Sequence, residues 1–173
     1  MKILTTKIID NLLEIIPNHP ALRVMLVADI NQNISNEDIL IEKIFKFIQQ
    51  RDYEFQLNLI NENNIYKDKY NIPQISSVRF LDLNRNSFML QAKLYDFIYI
   101  SADIENIGDF SKKIYKVIKG SGIIIIFIDK SKNNILQKWI EELENNFFVA
   151  INTIDISDDF EILSAKKMHG WGG

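Results

Sequence analysis

The chain has no cysteine, only two histidines and three prolines, and its six glycines all lie at or beyond Gly108. Without cysteine there are no disulfides, no thiolate nucleophile and no zinc–sulfur site, a usage that fits a reducing compartment. His19 sits between Pro17 and Pro20 and His169 near the last residue, so neither a His-based triad nor a His-Glu-x-x-His metal site can be built. No metal site is expected. Walker, Gly-x-Ser-x-Gly and Gly-x-Gly-x-x-Gly loops are all absent. With a formal charge of -3 and no Lys/Arg cluster, the sequence lacks the basic footprint of a nucleic-acid binder. No apolar run approaches the roughly 20 residues that cross a bilayer. The opening Met1-Lys-Ile-Leu-Thr-Thr-Lys7 has no signal-peptide core. The expected setting is the cytoplasm, away from membranes.

At 173 residues the chain reads as one domain, with residues 1–20 as an N-terminal helix and Pro-rich turn and 168–173 as a tail. Its clearest part is Tyr95-Asp-Phe-Ile-Tyr-Ile-Ser101, a helical stretch from Asp109 to Lys119, and Gly120-Ser-Gly-Ile-Ile-Ile-Ile-Phe-Ile-Asp129. Ile123 to Ile128 contains no polar residue, so it suits a strand covered on both faces and would be an aggregation site at an edge. Phe110, Ile114, Val117 and Ile118 form one helical stripe, with Gly120 read as the C-cap. This strand, helix and strand seed a parallel sheet.

Leu4 to Ile16 carries a helical stripe that stops at the prolines, and Leu22 to Ile30 is a second apolar strand ending on Asp29. Ser35-Asn-Glu-Asp38 has the form of a capping box before a helix reaching Ile48. Phe55 to Ile60 and Val78 to Leu81 are strands, Ile65 to Gln74 is a polar connection, and Phe88 to Leu94 is a poor helix. Beyond Asp129, Ser131 is placed to cap a helix burying Trp139 and Leu143. Phe147 to Ile156 and Phe160 to Lys167 are joined only by Ser157-Asp-Asp159, which suits a hairpin and not a parallel crossover. The fold class is α/β: a three-layer Rossmann-like sandwich with a mostly parallel seven-stranded sheet ending in an antiparallel hairpin.

Five β-then-α units followed by a hairpin resemble the class I S-adenosylmethionine-dependent methyltransferases over nearly the whole chain. Tyr95-Asp-Phe-Ile-Tyr-Ile is similar to the family's fourth strand, and Ile114-Tyr-Lys-Val-Ile-Lys-Gly-Ser-Gly-Ile-Ile to the turn into its fifth. The resemblance implies S-adenosylmethionine as cofactor. It places Asp29 and Asn31 in the first cofactor loop, Glu62 at the ribose, Asp82 and Leu83 at the adenine, and Ser101, with Asp103 beyond it, at the transfer site. The first loop departs from the family, because Val27-Ala-Asp-Ile-Asn-Gln-Asn33 has no glycine. A left-handed L-residue costs roughly 1–2 kcal/mol, and Asn31 or Asn33 occupies space that a glycine leaves to the ligand. The expectation is a methyltransferase-like protein of unreadable substrate with weakened cofactor binding. The alternative is a fold kept as an inactive interaction module with a protein partner. A minor alternative is a phospho-receiver-like signalling domain, since Val24-Met-Leu-Val-Ala-Asp29 and Tyr95 to Asp103 are also similar to receiver strands. An acidic pair for magnesium is missing there, its place being held by Ala28-Asp29. The role of the His169-Gly-Trp171 tail is not readable, packing over the sheet edge being the favoured expectation.

Overall fold

The computed structural model describes residues 5–30, 34–61, 64–88, 92–155 and 157–170, without the side chains of 34–37. Its elements are α1 (Thr6–Leu13), β1 (Arg23–Ala28), α2 (Ile34–Arg51), β2 (Glu54–Leu59), α3 (Asn64–Tyr70) and β3 (Ser76–Phe80). They continue with β4 (Tyr95–Ile100), α4 (Ile107–Val117), β5 (Ile118–Asp129), α5 (Ile135–Asn145), β6 (Phe148–Ile154) and β7 (Phe160–Lys167). One seven-stranded sheet takes the order β3-β2-β1-β4-β5-β7-β6. β1 pairs in parallel with β2 on one side and β4 on the other, so the winding reverses beside β1. That reversal opens a crevice at the carboxyl ends of the strands, the usual ligand position in open α/β sheets. β7 runs antiparallel between β5 and β6, giving the hairpin finish. No helix among the described residues is long and apolar enough to cross a membrane.

Side chains alternate across the strands and build two cores. Val24, Leu26, Ala28, Phe55, Leu57 and Tyr99 face α1, α2 and α3. Met25, Val27, Ile98, Ile100, Ile124 and Ile126 face α4 and α5, with Phe110, Ile114 and Val117 of α4 and Trp139 and Leu143 of α5 set against them. The isoleucine run of β5 is thus covered on both faces, as its composition requires.

Several local expectations are corrected. α4 stops at Val117, and Ile118 is already extended at φ -79, ψ 143, so Gly120 lies inside β5 and caps nothing. The orphan carbonyls at the helix end are met from another strand: Lys167 Nζ donates to Tyr115 O at 2.6 Å and Ile118 O at 3.0 Å. The pairing of β5 with β4 shifts between Tyr95 and Phe97. Ser121 of β5 is left-handed at φ 65. Gly122 is needed for a close approach, because a Cβ there would stand 2.6 Å from Ile118 Cγ1. Ser131 does not cap α5; its backbone N–H and hydroxyl donate to Asp129 Oδ1 at 2.8 and 2.7 Å, and α5 begins after Asn134. Ser35 lies within α2 rather than before it. The polar connection contains helix α3, anchored by buried Tyr66 and Tyr70, while described residues 88 and 92–94 form no helix. In the tail, His169 lies over Gly120, its Nδ1 3.0 Å from where a Cβ would stand. Leu4 and Trp171 lie outside the described residues.

Candidate functional site

The loops leaving β1, β2, β3 and β4 enclose, with the first turn of α4, a cleft of about 470 Å³. Its lining comes from Asp29, Ile60 and Asn61, from Leu83 and Asn84, and from the run Asp103 to Asn106 with Asp109 and Phe110. The volume falls within the ~300–1,000 Å³ of ordinary small-molecule sites.

Asp29 follows the last residue of β1 and is buried to 5% exposure. Asn61, leaving β2, donates its amide to Asp29 Oδ1 at 2.7 Å, fixing one carboxylate oxygen from the neighbouring strand. The loop after β4 turns away from the sheet because the Ser101 and Ala102 amides both donate to Val27 O, at 2.9 and 3.2 Å. That anchoring presents Asp103, Ile104 and Glu105 to the cleft before Asn106 caps α4, its Oδ1 accepting from the Asp109 amide at 3.1 Å. On the opposite wall Leu83 is held from behind: Lys113 Nζ donates to Leu83 O at 2.8 Å and is ion-paired with Asp109.

The expected site residues separate into three groups. Asp29, Leu83 and Asp103 meet in the cleft lining. Asp82 and Ser101 lie nearby but outside that lining. Asp82 Oδ1 accepts from the Asn84 amide at 3.0 Å and its other oxygen is 3.5 Å from Arg85 Nε, beside a cavity of about 90 Å³. Ser101 turns its hydroxyl back to Val27 O at 3.3 Å. Asn31, Asn33 and Glu62 lie outside the described residues.

Among the described residues four carboxylates line the cleft, from Asp29, Asp103, Glu105 and Asp109, and no described lysine or arginine joins them in that lining. Lys132 pairs with Asp103, as Lys113 does with Asp109. The arrangement favours a ligand carrying positive charge and hydrogen-bond donors. Among the described residues no group of three or more His, Cys, Asp or Glu is placed to hold a metal ion. Sequence reasoning missed Asn61, Glu105 and Lys113. A signal existed for the last, since Lys113 stands three residues after Phe110 and one before Ile114, inside the apolar stripe of α4.

No protein-family model and no curated protein matches the sequence. Solved structures do match. A SAM-dependent O-methyltransferase from Thermotoga maritima is similar with a TM-score of 0.72 at 10% identity, over 100% of this chain and 69% of that one. The CurJ carbon methyltransferase gives 0.69 at 11% identity over 94% of this chain and 53% of its own, so the chain spans about half the length of that relative. The [4+2]-cyclase SpnF gives 0.69 at 8% identity, over 95% and 81%. The chain therefore has the Rossmann-like fold of the class I S-adenosylmethionine-dependent methyltransferases, with its seven-stranded sheet and antiparallel finish. The same fold carries proteins named for different reactions, so the fold by itself names none.

Proposed function

We propose that the protein is a methyltransferase-like protein that binds S-adenosylmethionine, weakly for its fold, in the cleft between Asp29 and Asp109. The observation that carries this reading is the acidic cleft itself, at the winding reversal beside β1, with Asp29 and Leu83 of the expected cofactor set in its wall. The residues suit the group: its sulfonium and ammonium are cationic, and the carboxylates of Asp29 and Glu105 supply opposite charge and acceptors, those of Asp103 and Asp109 being already paired with Lys132 and Lys113. When bound, the cofactor supplies an electrophilic methyl group. The chain's own part is to orient it, Asp29 being fixed by Asn61 and Leu83 by Lys113. Weakness follows from the glycine-free loop after Asp29 and from Asp82, whose carboxylate is engaged with Asn84 and Arg85.

The engagement of Asp82 also favours a second reading, in which the fold no longer catalyses and serves to dock a protein partner. Titration with S-adenosylmethionine or S-adenosylhomocysteine separates the two. A bound ligand raises the melting temperature by mass action, with about 2.7 kcal/mol at a hundred times Kd. Asp29→Ala is expected to lower the affinity about tenfold or more, as loss of a charged hydrogen-bonding group does. No thermal shift with either compound at millimolar concentration would sink the cofactor reading and leave the docking one.

A further inference from the structure

Lys113 is among the few charged side chains buried among the described residues, at 5% exposure, and its surroundings form a bridge. Its ammonium donates to the carbonyl of Leu83 in the loop after β3 at 2.8 Å. It pairs with the carboxylate of Asp109 in the first turn of α4. It also stands over the Phe88 ring, 5.4 Å from the centroid, and that ring lies 5.4 Å from Phe110. Leu83 on one side, and Asp109 and Phe110 on the other, all line the cleft. One buried cation therefore joins two walls of the cleft that come from elements far apart in sequence. An ammonium withdrawn from water is costly unless its donors are satisfied, so its partners are held to a narrow set of positions.

We infer that Lys113 is a positioning residue: by tying the Leu83–Phe88 loop to α4 it fixes the wall against which the nucleoside end of an adenosyl ligand rests. This rests on the cofactor reading above and adds the residue that sets the width of its site. The role requires the charge. The stem of Lys113 packs as methionine would, whereas only the ammonium reaches Leu83 O and Asp109 together.

Lys113→Met, Phe88→Leu and the wild type are compared by calorimetry with S-adenosylhomocysteine and with 5′-methylthioadenosine, which keeps the nucleoside and lacks the amino acid. Lys113→Met is expected to weaken both ligands by the same factor, about tenfold, with amide exchange accelerated in residues 83–88 and unchanged in β1 and β4. Phe88→Leu, which leaves Lys113 and every residue of the cleft lining in place but removes the ring under the ammonium, carries the test if the methionine variant fails to fold, and weakens both ligands by a smaller common factor. Binding of both ligands within twofold of wild type by whichever variant is folded overturns the inference. So does a loss confined to S-adenosylhomocysteine, which would place the effect at the amino-acid end. A wild type that binds neither ligand overturns the cofactor reading, and this inference falls with it.

Discussion

The two faces of the sheet are built on different terms. Toward α1, α2 and α3 the buried side chains are aliphatic or aromatic with few exceptions, and polar atoms come mostly from tyrosine hydroxyls, such as that of Tyr99 donating to Leu12 O at 3.3 Å. Toward α4 and α5 lie Asp29, Gln56, Asn58, Ser111, Lys113 and Lys167, all buried. Gln56 and Asn58 form a ladder with Tyr95: its hydroxyl donates to Gln56 Oε1 at 2.9 Å, and Gln56 Nε2 reaches Asn58 Oδ1 at 3.4 Å. The ladder ends on an unmatched Asn58 Nδ2, and Ser111 Oγ is unmatched as well, while the apolar face holds one such atom, the Tyr70 hydroxyl oxygen. Each unmet buried group costs about 1–3 kcal/mol, so among the described residues this face gives up more stability than the other. The cleft opens on the face that gives up more.

The strongest way to test the contrast is a cavity in the apolar face. Leu26→Ala, at a fully buried site, should cost about 2–5 kcal/mol in denaturant unfolding while leaving affinity for the proposed cofactor unchanged. A change in affinity would mean that the two faces are not separable.

Alkaline titration comes next. Burial pushes the Tyr95 hydroxyl from 10 up to about 12 and raises Tyr99 further in the same direction. Between pH 10 and 12 the unfolded chain has lost protons that the folded one keeps, so stability falls as pH rises. The Tyr95 share is bounded by roughly 2–3 kcal/mol at about 1.4 kcal/mol per unit. Lys167 acts in the opposite sense: burial first, then Lys93, lowers its pKa below 10.5. In that window the unfolded chain holds the extra proton, so stability gains as pH rises toward 10.5. Tyr95→Phe should flatten the descending limb in urea unfolding followed across pH, and an unchanged limb would refute the assignment.

The smallest expected effect is a gain. Ser111→Ala removes an unmatched hydroxyl from α4 and improves helix propensity, which should stabilise the protein by about 0.5–1 kcal/mol. Destabilisation instead would mean that Ser111 has a partner in solution.

The order of elements and the central β4–α4–β5 unit were readable because periodicity and an uninterrupted isoleucine run are local signals of burial. What failed locally was decided at a distance. Gly120 has the sequence position of a C-cap, yet α4 is capped by Lys167 from a strand 52 residues beyond Tyr115. Ser131 has the look of an N-cap, but the acceptor two residues before it wins its hydrogen bonds. At the site, Asp29 and Leu83 could be picked out because strand ends converge on one edge of a parallel sheet. Lys113 could not be chosen in the same way, because its partners Leu83 and Phe88 come from another loop, and only packing shows that a charge in an apolar stripe is satisfied.

The placement of β7 has a consequence for how the protein is made. The isoleucine run of β5 is flanked by β4 and by β7, and β7 pairs along Ile123 to Asp129 only through residues 160–166. A growing chain that has just delivered β5 therefore carries its most adhesive strand with one edge unguarded. At ribosomal speeds of ~5–20 residues/s the guard arrives some 2–8 s later. Slowed synthesis across α5 and β6, or a stop before Phe160, would lengthen that interval and send the nascent chain toward aggregates rather than toward a protein with a weaker site.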